Sequence, residues 1–286
     1  EVNVAIGLTR LGFPVEYLTR LGDDPFGHYI EQALKDNGIG TNLLTYDPVY
    51  RTGIQLKEYV KDGHDPAAPY YRKGSAASHL SIREIAALDL GEIGLVHVTG
   101  IPPALSKEAR EATYRLMERA RKAQIPVTFD PYLRPALWEN DEMMRKVLND
   151  LANYADVVLP GIGECEILAG TTDKEKAADF YHQKGAALVV IKDGKNGAYV
   201  SEKKENGEIT RDMIPGYPVK KVVDTVGAGD GFAVGVLSGL LKGLPVSECA
   251  KRGNAIGSIQ VQHRGDNEGL PTEEILQTYM LGNIQK

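Results

Sequence analysis

The sequence predicts an α/β fold in which a mainly parallel sheet is covered by helices on both faces. Short segments rich in Val and Ile alternate with longer segments whose apolar residues recur at helical spacing. Hydrophobic residues make up 42% and charged residues 25% of the chain, ordinary values for a globular protein with a sizeable core. The length of 286 residues allows one large domain or two ordinary ones, and we predict a single domain over residues 1–286.

The first predicted elements are a helix, a strand and a second helix. Apolar periodicity predicts helices over residues 1–12 and 25–37, the second ended by Gly38, and a strand over residues 15–18. The chain opens directly on the first helix, without a preceding cap or strand. We therefore expect an N-terminal segment ahead of residue 1 that this sequence lacks.

Residues 49–75 break the alternation and are predicted to form a small β insertion. The strand-like segments RTGIQLKEYV and APYYRKGSA are separated by the polar turn KDGHDPAA, a pattern typical of an antiparallel hairpin. Because side chains alternate along a strand, Tyr70 and Arg72 are expected on one face, and Tyr71 and Lys73 on the other. We interpret the hairpin as a lid over a ligand. An edge strand protected from aggregation by its charges is the alternative.

The alternation of strands and helices resumes after this insertion. The predicted strands are LVHVTG, PVTFD, DVVLP, ALVVIKDG and NGAYVS, followed by the end of a strand at residues 221–224. The predicted helices cover residues 107–123, 141–154, 164–169, 174–185, 247–262 and 273–280, and another follows a glycine turn at residues 227–229. In such a sheet, ligand groups are expected outside the carboxyl ends of the strands.

Charge and cysteine content exclude several classes of function. The formal net charge is −6, and no dense Lys/Arg run is interleaved with aromatic residues, so nucleic acid is not an expected partner. Cys165 and Cys249 lie far apart without a CxxC or Cys/His cluster, which argues against a disulfide framework or a zinc site. No apolar run reaches about 18 residues and no signal peptide is present, so we expect a cytoplasmic protein without membrane insertion.

The stretch VVDTVGAGDGFAVG joins a predicted strand to a helix through very small residues. Backbone N–H groups of Gly227, Ala228 and Gly229 can approach a ligand closely, and they lie at a helix N-terminus, which favours an anion such as phosphate. Asp230 beside such a cradle is suited to accept a proton from an attacking hydroxyl. The alternative is an ordinary helix start at which the aspartate caps the first turn.

Charged residues also follow two other predicted strands. Arg134, in TFDPYLRPALW, could form a two-pronged pair with a substrate carboxylate, and the alternative is a pair with Asp130. Glu164 and Glu166, in LPGIGECEILAG, could organise Mg²⁺ through water, and the alternative is a favourable interaction with a helix dipole. Both segments stand where an α/β sheet places ligand groups.

The segment VIKDGKNGA could place Lys192, Gly194 and Gly197 along nucleotide phosphates. Asp-Gly and Asn-Gly are also favoured hairpin residues, and the hairpin is our preferred interpretation. The chain has no GxxxxGK[ST] loop, no HRD or DFG set and no GxGxxG in a strand–helix context. P-loop, protein-kinase and dinucleotide-binding folds therefore lack their signatures.

DTVGAGDGFAVG resembles the C-terminal signature of the ribokinase-like sugar kinase family, and EVNVAIGLTRLGFPVEYLTRLGDDPFG resembles the latter part of its N-terminal signature. The resemblance continues to about residue 272. It implies a ribokinase-like three-layer α/β/α sandwich with a small β-sheet lid. The family's first strand, and the glycine pair that usually precedes this N-terminal signature, are absent from the sequence.

Within the family, YYRKGSAASHLS, FDPYLRPALW and QHRGDNEGLPT are most similar to kinases of 2-keto-3-deoxygluconate. The resemblance implies transfer of the γ-phosphate of ATP, with Mg²⁺, to the terminal hydroxyl of this six-carbon keto acid. It implies Asp230 as the catalytic base and the amides of Gly227, Ala228 and Gly229 as an anion hole. The implied substrate-binding residues are Asn3, Gln55, Tyr70, Arg72, Arg134 and Asp230. The implied nucleotide-binding residues are Lys192, Gly194, Gly197, Gly227, Gly229 and Asn254.

Glu164 matches the glutamate of the family's Asn-x-x-Glu magnesium motif, and it is expected to act through water, while Gly161 stands where that motif has Asn. A kinase of a neutral sugar, similar to fructokinase or ribokinase, is the main alternative, and the paired arginines argue against it. A binding module without catalysis is a further alternative, which Asp230 argues against. The exposed edge of the hairpin also predicts a homo-oligomer, a dimer or higher, formed through the lid.

Overall fold

The computed structural model describes residues 1–56 and 69–284, with side chains up to residue 282. Its strands are β1 (Thr19–Gly22), β2 (Leu44–Asp47), β3 (Ile54–Gln55), β4 (Tyr70–Tyr71), β5 (Val96–Thr99), β6 (Val127–Asp130), β7 (Val157–Val158), β8 (Leu188–Lys192), β9 (Ala198–Lys203) and β10 (Ile209–Ile214). Its helices are α1 (Val2–Arg10), α2 (Pro25–Asp36), α3 (Ile82–Ala87), α4 (Pro102–Leu105), α5 (Lys107–Lys122), α6 (Asp141–Leu151), α7 (Ile162–Ala169), α8 (Lys174–Gln183), α9 (Ala228–Leu241), α10 (Val246–Gln260) and α11 (Glu273–Ile284).

The central sheet has six strands in the order β10-β9-β8-β7-β6-β5. Strands β5 to β8 run parallel, whereas β9 and β10 continue the sheet as an antiparallel meander. The predicted mainly parallel sheet is therefore confirmed, and so is the hairpin interpretation of the β8–β9 connection. The parallel order brings the carboxyl ends of β6, β7 and β8 together at one edge, where ligand groups are expected.

The two faces of this sheet bury separate apolar clusters. Along β8, Leu188 and Val190 belong to one cluster, with α1, α9 and α10, while Val189 and Ile191 belong to the other, with α5, α6 and α8. Successive side chains of a strand point to opposite faces, so a continuous apolar run can fill both cores. The result is the expected three-layer α/β/α sandwich.

Helices α9 and α10 lie in close contact on one face of the sheet. A Cβ atom added at Gly235 would lie 2.4 Å from the backbone carbonyl carbon of Arg252, so only glycine permits this approach. The packing fixes the direction of α9, and its N-terminus lies beside the end of β8. The close helix pair thereby places the glycine turn at the ligand edge of the sheet.

The N-terminal region differs from its prediction in the position of the strand. The predicted strand at residues 15–18 makes only an isolated bridge from Glu16 to Gly40, and the strand β1 forms four residues later. Strand β1 pairs in parallel with β2, which was not predicted, in a separate two-stranded sheet. Leu21 and Gly22 are the buried residues of β1, whereas residues 15–18 are half-buried or exposed. The expected N-terminal segment stays a prediction.

The predicted hairpin is present where the chain is described. Strands β3 and β4 pair antiparallel, with Ile54 opposite Tyr71 and Gln55 opposite Tyr70. The rest of the first predicted strand and the whole polar turn, residues 57–68, lie outside the described residues. Strand β4 alternates as expected, since Tyr70 is half-buried and Tyr71 is 63% exposed.

One further prediction of secondary structure is wrong, and three observed elements were missed. Residues 221–224 form no strand: Val222 and Val223 are 56% and 47% exposed, and the amide of Val223 donates to the carbonyl of Val261 instead of to a sheet. Helices α3 and α4 and strand β10 were not predicted. Strand β10 is an edge strand in which only Ile214 is buried, so its sequence lacks an apolar run. Among the described residues, no helix is long and apolar enough to span a membrane.

Candidate active site

The turn before α9 is built around a left-handed glycine. Gly227 precedes the first helical residue with φ +76°, and a Cβ atom there would lie 2.0 Å from the carbonyl oxygen of Asp266. The buried side chain of Gln260 donates to the carbonyls of Val226 and Gly265 at 3.4 and 2.7 Å. These contacts hold the turn in place, so its amide groups are oriented before any ligand binds.

Asp230 lies in the first turn of α9 and is 5% exposed. Its Oδ2 accepts a hydrogen bond of 2.7 Å from the Nδ2 group of Asn3, which α1 supplies. The helix begins without a side-chain cap, so the alternative in which this aspartate is an ordinary cap has no support in the observed contacts. Asn3 therefore orients the carboxylate.

All six residues predicted to bind the substrate line one cavity of about 1380 Å³. The six are Asn3, Gln55, Tyr70, Arg72, Arg134 and Asp230. The same cavity extends between strands β5 and β1, since residues of both strands line it. The structure thus brings together side chains that are separated by more than two hundred residues in the sequence.

The two predicted arginines are held by uncharged groups. The Nη2 group of Arg72 donates to Oε1 of Gln55 at 2.9 Å, and its Cζ lies 5.3 Å from the ring centre of Tyr70. The Nη1 group of Arg134 donates to the carbonyl of Leu133 at 2.8 Å. No carboxylate among residues 1–56 and 69–284 forms an ion pair with either guanidinium. Within the described residues, both arginines therefore keep charge available for an anionic ligand.

Asp130 pairs with Lys192 rather than with Arg134, so the alternative predicted for Arg134 is wrong. Lys192 Nζ lies 2.6 Å from Asp130 Oδ2, and the side chains are 17% and 3% exposed. Burial lowers the pKa of Lys192, but the charge and hydrogen bond of Asp130, together with the charges of Glu164 and Asp230, outweigh this effect and raise it. A Cβ added at Gly229 would lie 4.0 Å from Lys192 Nζ, so the ammonium group stands next to the glycine turn.

Asp130 has an unusual electrostatic environment for a carboxylate. Burial raises its pKa, Lys192 opposes that shift, and the charges of Glu164 and Asp230 add to it. Its Oδ1 atom is buried and has no hydrogen-bond partner within the described part of the chain. Such a group favours a nearby cation or donor, and it marks this edge of the sheet as a functional site.

Glu164 fastens two loops together. Its Oε1 accepts from the amide of Leu133 at 2.9 Å, and its Oε2 accepts from the amide of Gly161 at 2.7 Å, which caps α7. The helix-dipole alternative is thus part of what Glu164 does, while Glu166 is exposed. In the described residues, no cluster of three His, Cys, Asp or Glu side chains could hold a metal ion. The oxygen donors fit Mg²⁺ held mainly by phosphates and water.

None of the six predicted nucleotide residues lines the cavity. Lys192, Gly227 and Gly229 lie at the glycine turn, and the other three are Gly194, Gly197 and Asn254. Gly194, with φ +52°, opens the turn after β8 and has free space around it. Gly197 and Asn254 meet at the segment after β10: a Cβ at Gly197 would lie 2.1 Å from the carbonyl of Ile214, and Asn254 Nδ2 donates to the same carbonyl at 3.0 Å. Both residues shape the backbone of residues 214–216, and their role toward a nucleotide stays a prediction.

Sequence reasoning missed two features of this site. The pairing of Asp130 with Lys192 had only a partial signal: both residues end predicted strands, but the strand order that brings them together was not specified. Tyr132, with φ +44°, had none: nothing in PYLRP indicates a left-handed backbone at a tyrosine. Its ring centre lies 4.3 Å from Cζ of Arg134, and it lines the same cavity as Asp230.

The sequence profile of the pfkB family carbohydrate kinases matches residues 1–273. The chain is 46% identical over 281 residues to a 2-dehydro-3-deoxygluconokinase of Bacillus subtilis, covering 98% of this chain and 85% of that protein. The structure of a PfkB protein from Polaromonas is similar with a TM-score of 0.84 and 44% identity, covering 96% of this chain and 87% of that one. A fructokinase of Vibrio cholerae bound to fructose, ADP and calcium is similar with a TM-score of 0.86 and 27% identity, covering 97% and 89%.

Proposed function

The chain belongs to the pfkB family of carbohydrate kinases, and we propose that it phosphorylates 2-keto-3-deoxygluconate, also named 2-dehydro-3-deoxygluconate, at its terminal hydroxyl with ATP. The product is 2-keto-3-deoxy-6-phosphogluconate. One observation carries the choice of substrate: Arg72 and Arg134, with no carboxylate partner in the described residues, line the same cavity as Asp230. A sugar acid places a negative charge opposite these two cations, which a neutral sugar does not.

Asp230 is the proposed base of this reaction. It accepts the proton of the terminal hydroxyl as the oxygen attacks the γ-phosphorus, the O–P bond forms, and the bond to the β-phosphate oxygen breaks to release ADP. Asn3 holds the carboxylate toward the cavity through its 2.7 Å hydrogen bond. Because this hydrogen bond orients the carboxylate before the substrate arrives, little reorganisation is needed during the reaction.

The amides of Gly227, Ala228 and Gly229 are the proposed anion hole. They begin α9, so their N–H groups and the helix dipole favour the negative charge that develops on the transferred phosphoryl group. Lys192, next to Gly229, adds a positive charge on the same side. Gly194, Gly197 and Asn254 are proposed to support the nucleotide, the last two through the backbone segment that follows β10.

Mg²⁺, when bound with ATP, neutralises phosphate charge and acts as a Lewis acid. Glu164 and Asp130 are the residues proposed to hold it through water, because both lie at the edge of the sheet near the anion hole. Both oxygens of Glu164 already accept a backbone hydrogen bond, which suits contact through water better than direct coordination.

Residues 49–75 are proposed to act as the lid that excludes water from the sugar, since Gln55, Tyr70 and Arg72 reach the cavity from it. A single domain over residues 1–286, a cytoplasmic location and a homo-oligomer formed through the lid stay predictions. Phe26, Tyr29, Leu56 and Tyr71 are exposed apolar side chains, of which the last two belong to the hairpin, and sedimentation at several concentrations would test association.

A coupled ADP-release assay over keto-deoxy acids and neutral hexoses and pentoses tests the proposed function. We expect the highest kcat/KM for 2-keto-3-deoxygluconate. A higher value for fructose or ribose would favour the neutral-sugar alternative, and the absence of ADP release with every sugar would favour a binding module without catalysis.

Arg134→Ala tests the basis of this specificity. Loss of a charge-assisted hydrogen bond of about 1.5–3 kcal/mol raises KM for the sugar acid about 10- to 150-fold, while neutral sugars are affected little. Arg115→Ala, at an exposed arginine that pairs with Glu118 on α5, is the matched control and should leave KM unchanged. Equal weakening of acidic and neutral sugars in Arg134→Ala would refute the carboxylate assignment.

A further inference from the structure

Tyr132 is held in a backbone conformation that tyrosine rarely adopts. Its φ is +44°, and in the described part of the chain the one other non-glycine residue with a positive φ is Gln124. A bulky residue in the left-handed region costs on the order of 1–3 kcal/mol, and such strain persists where its surroundings fix it. The strain at Tyr132 therefore needs a reason other than stability.

Contacts of the residues on both sides of Tyr132 restrict its backbone conformation. The amide of Leu133 donates to Glu164 at 2.9 Å. The amide of Gly100 donates to the carbonyl of Asp130 at 3.0 Å, and a Cβ at Gly100 would lie 1.9 Å from the carbonyl oxygen of Pro131. The loop after β6 is thus held by α7 on one side and by the residue after β5 on the other, and the strained conformation is built into the site.

The left-handed backbone turns the ring of Tyr132 beneath the guanidinium of Arg134. Cζ of Arg134 lies 4.3 Å from the ring centre, well inside the range of a cation–π contact. The carbonyl of Leu133 accepts from one N–H group of that guanidinium at 2.8 Å. A cation–π contact does not use the N–H groups of the guanidinium, so those not bonded to Leu133 stay available, and a guanidinium binds a carboxylate in two-pronged fashion.

We propose that Tyr132 is a positioning residue that sets specificity for a sugar acid by holding the Arg134 guanidinium over its ring, with the remaining N–H groups toward the substrate carboxylate. This inference rests on the proposed function and names the residue through which its carboxylate recognition is organised. The ring carries the role, since the phenolic hydroxyl is not needed to hold the guanidinium. Tyr132 also lines the same cavity as Asp230, so the tyrosine, Arg134 and the proposed base lie around one cavity.

Two substitutions distinguish the effect of the Tyr132 ring from the effects of its hydroxyl and of its backbone conformation. Tyr132→Asn removes the ring but keeps a residue that tolerates the left-handed region, and Tyr132→Phe removes only the hydroxyl. A cation–π contact of about 0.5–2 kcal/mol corresponds to a rise of about 2- to 30-fold in KM for the sugar acid in Tyr132→Asn. KM for ATP in Tyr132→Asn should stay within about twofold of the wild type, and Tyr132→Phe should keep the wild-type KM for the sugar acid.

Gln124→Asn is the matched control, because it replaces the other strained residue, at the end of α5, without touching the cavity. It should leave all kinetic constants unchanged. If Tyr132→Asn does not fold, Tyr132→Gly provides the same test, since glycine adopts φ +44° without strain. Circular dichroism and the thermal midpoint identify folded variants before kinetics are measured.

A double-mutant cycle decides whether Tyr132 acts through Arg134. In the Arg134→Ala background, Tyr132→Asn should cause no further rise in KM for the sugar acid, because the ring has nothing left to hold. An additive rise would show that Tyr132 contacts the substrate independently and would overturn the proposal, as would an unchanged KM in Tyr132→Asn.

The wild type separates failure of this inference from failure of the proposed function. If the wild type phosphorylates the sugar acid while Tyr132→Asn matches it, only the positioning role is overturned. If Tyr132→Phe raises KM for the sugar acid as much as Tyr132→Asn does, the hydroxyl and not the ring is responsible. The proposed role of the ring is then refuted. A wild type that turns over neutral sugars alone overturns the proposed function, and carboxylate positioning falls with it.

Discussion

Substitution of Gly227 by alanine gives a sharp test of the glycine turn. Two separate costs follow from the structure. A non-glycine residue at φ +76° costs about 1–2 kcal/mol, because its Cβ crowds the backbone. The new Cβ would also lie 2.0 Å from the carbonyl oxygen of Asp266, closer than the 3.0 Å below which real contacts essentially never occur. The turn or residue 266 must therefore move by about 1 Å, and displacement of that size at a reacting site costs about 10²-fold in rate.

Gly243→Ala, just beyond the other end of the same helix, supplies the matched control. Gly243 follows the last turn of α9 with φ +66°, and nothing lies within 4 Å of its Cβ position. Gly243→Ala should lose only about 1–2 kcal/mol of stability, the cost of a left-handed alanine, and its kcat should be unchanged. Gly227→Ala should be less stable than Gly243→Ala by chemical denaturation and should lose kcat about 10²-fold in the ADP-release assay. Equal stability of the two variants, together with normal turnover in Gly227→Ala, would refute the reasoning about the turn.

Three further predictions address the base, the nucleotide side and the stability of the fold. Asp230→Asn should lower kcat by at least about 10²-fold with little change in KM. Asp173→Asn, at the cap of α8, should leave kcat unchanged, and near-normal turnover in Asp230→Asn would exclude Asp230 as the base. Lys192→Met should raise KM for ATP by about tenfold or more, and an unchanged KM would remove this lysine from the nucleotide site. Hydrogen bonds from Arg252 lower the pKa of Glu273 to about 2, so the stability they add is present above about pH 4.5 and is lost as pH falls toward 2. Glu273→Gln should therefore be less stable at pH 7 by up to about 3 kcal/mol in urea denaturation and should match the wild type near pH 2; a gap independent of pH would contradict this origin.

The parts of the fold with a strong local signal could be predicted from the sequence. Strands β5, β6 and β8 are apolar runs that end in polar or glycine segments, and helices such as α5 carry clear periodicity. Strand β10 was missed because an edge strand with one buried residue has no apolar run. The two valines before Asp224 were predicted as strand because β-branched residues favour strands, but no neighbouring edge receives them, and tertiary context decides.

The candidate site could be predicted as far as chain position allowed. Residues at the ends of β6 and β8 and at the glycine turn were identified because parallel strands bring their carboxyl ends together. Their mutual contacts depend on strand order, which the sequence did not specify, so the pair of Lys192 with Asp130 was not foreseen. Nor did local residue preference reveal Tyr132, since tyrosine does not favour a positive φ and only the clamped loop enforces it.

The double attachment of Glu164 means that the proposed nucleotide and sugar sites are mechanically joined. One carboxylate accepts hydrogen bonds both from the start of α7, beside the proposed nucleotide site, and from the loop that carries Arg134, at the proposed sugar site. A nucleotide that shifts this carboxylate also shifts the arginine. By thermodynamic linkage, each co-substrate would then alter the equilibrium affinity of the other by an identical factor. Titration of the sugar acid with and without a non-hydrolysable ATP analogue would measure that factor, and a ratio of one would show that the shared anchor is rigid.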